Sequence, residues 1–380
     1  MIYRRFQDLE LSALGLGAMR LPVLEGDDER IDVPAAGEMV AYAMEKGVNY
    51  YDTAWGYHGG NSELVLGAAL SQYPRERFYL ASKFPGYDLS NMPRVREIFE
   101  KQLEKCRVDY FDFYLFHNVC EMNIDAYLDD GKYGIHTYLT EQKRLGRIRH
   151  LGFSAHGSVE TIRRFLEAYG KDMEFCQLQL NYVDWSFQAD REKVELLKEW
   201  NIPVWVMEPL RGGRLASLPA ADEAKLRALR PGETVPAWAF RFLQSIPEVT
   251  VTLSGMSNME QLRENIATWE TDAPLNEAER KILLGIAEGM MTGVLPCTAC
   301  HYCVSHCPMG LDIPRLLELY NEHSFTGGGF IAPMALQAIP AEKHPSACVG
   351  CRSCEAVCPQ GIKISEAMAD FAQRLGDKPE

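Results

Sequence analysis

Short apolar runs alternate with longer amphipathic stretches over the first three quarters of the chain. The short runs are nearly continuous in apolar side chains, which is the pattern of parallel strands covered on both faces. An opening segment, Tyr3 to Leu14, has the pattern of a hairpin. The predicted strands that follow it are Gly15–Met19, Val48–Asp52, Phe78–Lys83, Phe111–His117, Ile148–Ser154, Phe175–Leu180, Val204–Glu208 and Val249–Ser254.

Helices predicted between these strands complete a repeating strand–helix unit. They are Ala35–Lys46, Arg94–Arg107, Val159–Tyr169, Arg191–Trp200, Val235–Gln244 and Met259–Trp269, with a last one at Glu277–Glu288. Eight such units within about 250–280 residues are typical of a (β/α)8 TIM barrel, whereas a doubly wound sheet usually has about six strands. We therefore expect an α/β barrel domain at residues 1–288.

Two cysteine runs dominate the rest of the chain. Both have the spacing C-x2-C-x2-C-x3-C-P, which is that of bacterial two-cluster iron–sulfur sites and predicts two [4Fe–4S] clusters. Zinc ribbons rarely place a third thiol at this spacing, and disulfides between such close cysteines would be strained. The candidate ligands are Cys297, Cys300, Cys303 and Cys307 in the first run and Cys348, Cys351, Cys354 and Cys358 in the second.

The segment that contains these runs is expected to be a separate domain. We predict a small, mainly helical, ferredoxin-like domain at residues 289–380, with helices at Arg315–His323 and Ser365–Leu375. A Gly/Pro-rich loop is expected after the first of these helices. In two-cluster ferredoxins the fourth cysteine of each run binds the other cluster, so Cys358 should join the first run and Cys307 the second.

The composition is that of a soluble globular protein. Of 380 residues, 47% are hydrophobic and 24% are charged, and the formal net charge of −14 disfavours binding to nucleic acid or to an anionic membrane. There is no apolar run of 18 residues and no signal-peptide core, so we expect a cytoplasmic protein. Cys106, Cys120 and Cys176 lie in apolar segments and are predicted to be buried thiols.

Four chemically complementary residues lie at the carboxyl ends of predicted strands, where barrels carry their catalytic groups. Asp52, Lys83 and His117 end the second, third and fourth strands, and Tyr57 follows Asp52 by five residues. Any one of them alone is more often structural. Together, on adjacent strands, they indicate a site.

These residues carry a resemblance to a known family. The segment Val48-Asn-Tyr-Tyr-Asp52-Thr-Ala-Trp-Gly-Tyr57, with Ala81-Ser-Lys83 and Tyr114-Leu-Phe-His117, resembles the aldo-keto reductase superfamily. The whole chain resembles the branch of that family with a C-terminal 4Fe–4S ferredoxin domain. The resemblance implies that a carbonyl is reduced by hydride from NAD(P)H and that Tyr57 donates the proton. It further implies that Lys83 lowers the Tyr57 pKa, that Asp52 keeps Lys83 charged, and that His117 directs the carbonyl.

The resemblance also implies a nicotinamide dinucleotide site at the strand ends. Ala155-His156 follows Ser154 where the family commonly has Ser-Asn, and Met207 stands where an aromatic residue is common. NADP rather than NAD is expected from the family alone. The sequence shows no obvious basic residue that would bind a 2′-phosphate, although Arg263 is near. The matching positions are Gly17, Ala18, Met19, Ser154, Gln177, Met207, Pro209, Leu210, Arg211, Gly212, Gly255, Ser257, Gln261, Glu264 and Asn265.

Other candidate residues have two interpretations each. Arg211 and Arg214 would hold a phosphate, which we favour, or face solvent. Trp55 would line the substrate pocket or pack as an ordinary aromatic. The polar stretch Asn118–Gly134 would be a substrate loop or a plain surface excursion.

Three functions are compatible with the sequence. The first is a reductase of a small carbonyl compound, with the clusters as an added route for electrons and a redox partner protein. The second is an electron-transfer module that binds a flavin, since flavins convert between two-electron and one-electron chemistry. The third is a redox or nucleotide sensor. The four strand-end residues favour the reductase, and the altered positions Ala155 and Met207 give the second function some weight.

Overall fold

The computed structural model describes residues 1–291, 294–295, 297, 303–358 and 360–376. They form two compact units, Met1–Ala287 and Glu288–Glu380. The strands are β1 (Tyr3–Phe6), β2 (Leu9–Ser12), β3 (Leu14–Gly17), β4 (Tyr50–Asp52), β5 (Tyr79–Phe84), β6 (Phe111–Val119), β7 (Ile148–Ala155), β8 (Cys176–Gln179), β9 (Val204–Met207) and β10 (Val249–Ser254).

Helices follow the strands in the first unit and dominate the second. They are α1 (Val33–Glu45), α2 (Ser62–Leu70), α3 (Val95–Cys106), α4 (Ile124–Leu128), α5 (Asp130–Tyr133), α6 (Ile135–Arg144), α7 (Val159–Tyr169), α8 (Asp184–Phe187), α9 (Asp190–Glu199), α10 (Ala220–Leu229), α11 (Val235–Gln244), α12 (Met259–Thr268), α13 (Glu277–Met290), α14 (Ile313–Thr326), α15 (Ile331–Leu336) and α16 (Ile364–Leu375). No helix of the described residues is long and apolar enough to cross a membrane.

Strands β3 to β10 close into a parallel barrel, in the order β10-β3-β4-β5-β6-β7-β8-β9. The predicted (β/α)8 barrel is therefore confirmed, and each of its eight strands overlaps a predicted one.

Helix α7 shows how the sequence directs the helices. The Ser158 hydroxyl accepts a hydrogen bond from the Thr161 N–H and caps the helix, and Ile162, Phe165 and Leu166 are buried at helical spacing.

The predicted hairpin is present as the antiparallel pair β1–β2. Its Phe6 side chain packs edge-on against Trp205 of β9, with ring centres 5.0 Å apart, and lies 5.8 Å from the ring of Phe113 in β6. Phe113 is near the start of its strand, so the hairpin covers the amino ends of the barrel strands. The hairpin therefore leaves the carboxyl ends of the barrel strands open for catalytic groups.

Two predicted loops are partly wrong. The stretch Asn118–Gly134 is not a plain surface excursion, because it contains α4 and α5 and buries Asn123 and Tyr127. The Gly/Pro-rich loop after α14 contains the short helix α15.

The second unit has a small apolar core between its helices. Leu316 and Leu317 of α14 and Met368 and Phe371 of α16 are fully or almost fully buried in this core. The carboxylate of Asp312 accepts a hydrogen bond from the Arg315 N–H at the start of α14 and caps it. The predicted helices of this region are confirmed as parts of α14 and α16.

Candidate active site and iron–sulfur ligands

Neighbouring strands bring the four predicted residues together at the carboxyl end of the barrel. Asp52 ends β4, Lys83 lies near the end of β5, and His117 lies near the end of β6. The register pairs Asp52 with Ala81 and Lys83 with Leu115, so the three side chains stand on consecutive strands. Tyr57 reaches the same place from the turn after β4.

The ammonium of Lys83 is the centre of this arrangement. It donates hydrogen bonds to Asp52 Oδ1 at 2.7 Å and to the carbonyl oxygen of Thr53 at 2.8 Å. A third contact, of 3.4 Å, reaches the hydroxyl of Tyr57. The Lys83 side chain is fully buried, so these three acceptors replace the water that an ammonium would otherwise bind.

Burial determines the protonation of the site. It raises the Tyr57 pKa well above its ordinary value, and the charges of Asp52 and Glu208 raise it further. Burial lowers the pKa of Lys83, while Asp52 opposes that change. The pKa of Tyr57 is thus raised, not lowered as the nearness of Lys83 led us to expect, and burial is the largest cause. Tyr57 keeps its proton at neutral pH.

His117 is a neutral group at neutral pH. Burial and then the charge of Lys83 hold its pKa well below the usual value. Its buried Nδ1 has no hydrogen-bond partner among the residues that the structure describes. The imidazole lies edge-on between two phenol rings, 6.1 Å from Tyr57 and 5.2 Å from Tyr87. Tyr87 was not predicted as a site residue, since it belongs to the loop after β5 and follows no recognisable spacing.

A buried polar network supports Lys83 from behind. The carboxylate of Glu63, in α2, accepts hydrogen bonds from Ser82 Oγ, Gln102 Nε2 and Lys105 Nζ, each at 2.7 Å. Gln102 Nε2 also donates to the carbonyl oxygen of Lys83 at 3.0 Å. The network thus ties helices α2 and α3 to the backbone of the central lysine.

Trp55 lies beside this network rather than at its centre. The side chain is half-buried, and Lys105 Nζ lies 4.7 Å from the centre of its ring. A contact of this kind between a cation and an aromatic face agrees with the interpretation of Trp55 as a packed aromatic.

The residues expected to hold a nucleotide lie within or just after β3, β7, β8, β9 and β10 and on α12. Ser154 Oγ accepts a hydrogen bond from the Asn118 N–H at 2.8 Å, and Asn265 Nδ2 lies 3.2 Å from Ser254 Oγ. Gln177 Nε2 contacts Met207 Sδ at 3.6 Å. The members with exposed side chains or backbone are Met19, Gly212, Gly255, Ser257 and Gln261.

Arg211 does not face solvent, which was one of the two interpretations of this residue. Its side chain is buried, and Nε donates to both carboxylate oxygens of Asp184 at 3.0 Å. Asn181 and Gln179 donate to the same carboxylate at 2.7 and 2.9 Å. The sequence could not reveal this pairing, because Asp184 comes from a different strand–helix unit. Arg214, by contrast, is exposed.

Cysteines of both runs meet in the second unit. One cavity is lined by Cys307 of the first run and by Cys348, Cys351 and Cys354 of the second, together with apolar side chains such as that of Met368. These four are the residues expected to share one cluster. Cys300 lies outside the described residues.

A cluster and a single metal ion require different arrangements of their ligands. Within the described residues, no three His, Cys, Asp or Glu side chains converge on one metal-ion position. In a [4Fe–4S] cubane each thiolate binds a different iron, so its ligands surround a volume rather than a point. The three cysteines outside the runs, Cys106, Cys120 and Cys176, are buried as predicted.

A parallel eight-stranded barrel with a lysine, tyrosine, aspartate and histidine at its strand ends defines a class of oxidoreductase, and the comparisons agree with it. Residues 13–287 match the model of the aldo/keto reductase family, so the chain belongs to that family. Residues 296–363 match a 4Fe-4S dicluster domain. The fused domains are those that the sequence predicts.

Similar proteins include both curated relatives and solved structures. A probable aldo-keto reductase of Glycine max is 29% identical over 54% of this chain and 58% of its own length. An NADH-specific methylglyoxal reductase of Escherichia coli is 25% identical over 74% of this chain and 97% of its own. The holo form of an aldo-keto reductase from Bacillus halodurans has a TM-score of 0.61 at 25% identity, over 75% of this chain and 96% of that one.

Proposed function

We propose that residues 1–288 reduce a small carbonyl compound with a nicotinamide dinucleotide, and that residues 289–380 hold two [4Fe–4S] clusters that exchange single electrons with a partner protein. The observation that carries the first part is the contact of the buried Lys83 ammonium with both Asp52 and Tyr57. Family membership supports the reaction class. The E. coli relative, which is named for methylglyoxal, suggests a small aldehyde as the substrate.

Tyr57 is the proposed proton donor. A carbonyl that receives a hydride develops negative charge on its oxygen, and a positioned acid must neutralise that charge. Tyr57 is protonated at neutral pH because burial raises its pKa. Lys83, 3.4 Å from the hydroxyl, stabilises the phenolate that remains after the proton has left. Asp52 keeps the lysine in place for this role.

His117 is the proposed orienting group. Its low pKa makes it a neutral imidazole, which can donate one hydrogen bond to a carbonyl oxygen without adding a charge. The edge-on contacts with Tyr57 and Tyr87 fix the plane of the ring. A substrate oxygen between Tyr57 and His117 would then meet two donors.

The strand ends also fit a nicotinamide dinucleotide. When bound in reduced form, this cofactor supplies the hydride. Gln177 Oε1 is buried without a hydrogen-bond partner among the described residues, and an amide group of a ligand would satisfy it. Met19, Gly212 and Gly255, which follow β3, β9 and β10, are exposed. Both NADH and NADPH are candidates, and the E. coli relative is named as specific for NADH.

The cluster ligands are proposed to be exchanged between the two cysteine runs. One cluster would take Cys348, Cys351, Cys354 and Cys307, which is supported by the cavity that these four residues line. The other would take the remaining four, Cys297, Cys300, Cys303 and Cys358. Such clusters supply one-electron transfer, and their thiolate ligands set the potential together with the surrounding hydrogen bonds.

The test of the reductase uses the full-length protein purified without oxygen. Tyr57→Phe should lower methylglyoxal-dependent oxidation of NADH by a factor of about 100 to 10,000. Its affinity for NADH should stay within about twofold, since the substitution removes only a hydroxyl. Tyr3→Phe, which removes an exposed hydroxyl on the hairpin, is the control. Undiminished turnover in Tyr57→Phe would refute the assignment of the acid.

The same preparation separates the reductase from the other functions. A flavin absorption band, or bleaching of the clusters by NADH alone, would favour electron transfer through the barrel. A change of nucleotide affinity with cluster oxidation, without turnover, would favour a sensor. NADH oxidation that depends on an aldehyde supports the reductase.

A further inference from the structure

The residue that follows Tyr57 in the chain joins the turn after β4 to the loop after β3. His58 is buried, and its Nε2 accepts a hydrogen bond from the Leu21 N–H at 3.1 Å. On the other side of the ring, Nδ1 lies 2.7 Å from the carbonyl oxygen of Asp28. One imidazole therefore binds two separate points of the same loop and connects both of them to the turn that carries Tyr57.

These two partners determine which nitrogen of the His58 ring carries the proton. A backbone N–H can only donate, so Nε2 must be unprotonated to accept from Leu21, and the proton of the neutral ring lies on Nδ1. Nδ1–H then donates to the carbonyl oxygen of Asp28, and Asp28 Oδ1, at 3.2 Å, is a second acceptor nearby. Both ring nitrogens are thus occupied within the protein, and His58 itself is not available to a ligand.

The turn that His58 supports has an unusual backbone. His58 has φ 53° and ψ 46°, which lie in the left-handed region that residues other than glycine adopt uncommonly. Gly59 follows it with φ 62°. The loop also packs closely on the turn at this point, because a methyl group added to Gly59 would lie 2.8 Å from Glu29 Cγ. The hydrogen bonds of the imidazole therefore help to hold the backbone next to Tyr57 in a conformation that it would otherwise adopt rarely.

Within the site itself, the contacts of Tyr57 are long. Lys83 Nζ lies 3.4 Å from the Tyr57 hydroxyl, which is longer than an ordinary hydrogen bond. The ring of His117 meets the Tyr57 ring edge-on, with centres 6.1 Å apart. The place of the phenol thus depends on the turn from which it extends. A displacement of about 1 Å at a reacting group can lower a rate about 100-fold, so this support affects catalysis.

We propose that His58 is a positioning residue for Tyr57. By joining the turn to Leu21 and Asp28, its imidazole holds the phenol at the distance from the substrate carbonyl that proton transfer requires. This inference rests on the proposed role of Tyr57 as the acid. Loss of the imidazole should slow proton transfer and leave the binding of the aldehyde and of NADH unchanged.

The experiment replaces His58 in the full-length, cluster-loaded protein. His58→Gly removes both hydrogen bonds, and glycine adopts the left-handed turn without strain. The kcat for methylglyoxal-dependent oxidation of NADH should fall about 10- to 100-fold, whereas both KM values should change less than about twofold. His58→Asn keeps an amide N–H that can donate to the Asp28 carbonyl, so its kcat should be at least about threefold higher than that of His58→Gly.

Asn61→Ala is the matched control. It removes the hydrogen bond from Asn61 Nδ2 to the Glu29 carbonyl oxygen, 2.9 Å long, which joins the same loop to the end of the same turn. Its kcat should change less than about twofold, because this exposed bond does not involve the residue next to Tyr57. A loss of kcat in Asn61→Ala as large as that in His58→Gly would overturn the proposal, since any loosening of the loop would then have the same effect.

A double variant separates positioning from a general structural role. Once Tyr57→Phe has removed the hydroxyl, the place of the ring no longer affects proton transfer. Adding His58→Gly should therefore lower the residual kcat less than about twofold. A further loss equal to that seen with Tyr57 present would overturn the proposal, because His58 would then support the fold rather than the acid. If His58→Gly is too unstable to assay, His58→Asn takes its place in this comparison, since asparagine also adopts the left-handed region.

The two proposals can fail separately. A wild-type kcat in His58→Gly, or a change confined to KM, would overturn the role of His58 while Tyr57 remains the acid. Undiminished turnover in Tyr57→Phe would refute the acid, and the positioning role would fall with it.

Discussion

Replacing Glu63 alone should destabilise the barrel more than replacing both Glu63 and its ion-pair partner Lys105. Glu63 is fully buried and accepts three hydrogen bonds of 2.7 Å, one of them from Lys105. In Glu63→Leu the Lys105 ammonium, whose side chain is only 10% exposed, loses its counterion. Breaking a buried pair in this way costs about 3–5 kcal/mol of unfolding free energy. Adding Lys105→Met should restore about 2 kcal/mol, because no charge is then left unpaired.

Urea unfolding followed by tryptophan fluorescence is the assay for the single and the double variant. All six tryptophans lie between Trp55 and Trp269, so their emission reports on the first unit alone. For a unit of this size the urea dependence is about 3 kcal/mol per molar, so Glu63→Leu should lower the midpoint by about 1–1.7 M. Glu104→Leu, which breaks the exposed pair with Lys101, is the control and should cost less than about 1 kcal/mol.

The same variant has a functional readout. Gln102 binds both Glu63 and the carbonyl oxygen of Lys83, so its release should loosen the central lysine and lower turnover. A Glu63→Leu midpoint no lower than that of Glu104→Leu would refute the claim that a buried charge pair supports the site. So would a double variant that is less stable than Glu63→Leu.

Two further predictions concern acid stability and the clusters. Burial raises the Glu174 pKa, but hydrogen bonds, first among them that from His150, lower it to about 2. A carboxylate whose pKa is depressed in the folded protein stabilises the fold at pH values above its pKa in the unfolded chain, about 4.3, and this contribution is lost as the pH falls towards 2. Glu174→Gln should therefore flatten the pH dependence of the urea midpoint between these two values. An unchanged dependence would contradict the assignment. Cys307→Ser should leave about four irons per chain instead of eight, with an EPR spectrum of the reduced protein like that of Cys351→Ser; a spectrum unlike it would contradict the exchange of ligands.

Most of the barrel could be predicted from the sequence because its strands are buried on both faces. Strand β7 illustrates this: Ile148–Ser154 was predicted and Ile148–Ala155 is observed. Helix α2 was not predicted, since Ser62 and Glu63 face the interior and break the apolar pattern. Helix α10 was missed for the opposite reason, because Leu226 is its one buried residue.

The residues of the candidate site also differ in whether the sequence could predict them. Asp52, Lys83 and His117 could be found because each sits at the end of an apolar run. Tyr87 could not, since its contact with His117 depends on how the loop after β5 folds back. The ion pair of Arg211 could not be predicted for a related reason, because its partner Asp184 is 27 residues away in sequence and becomes adjacent only through the barrel.

The second unit should depend on its metal for folding, whereas the barrel should not. In the proposed ligand set, Cys303 and Cys354 are buried in the same apolar core as Leu316 and Phe371. Thiolates in such surroundings need iron to neutralise them, so cluster binding and folding are coupled. Removing the iron should abolish the protease resistance of residues 303–376 and lower the helix signal in circular dichroism, because α14 and α16 lose the core between them. The urea midpoint of tryptophan fluorescence should stay within about 0.3 M of that of the loaded protein, since the barrel has its own core. An iron-free protein whose C-terminal unit still resists proteolysis would show that apolar packing alone suffices to fold it.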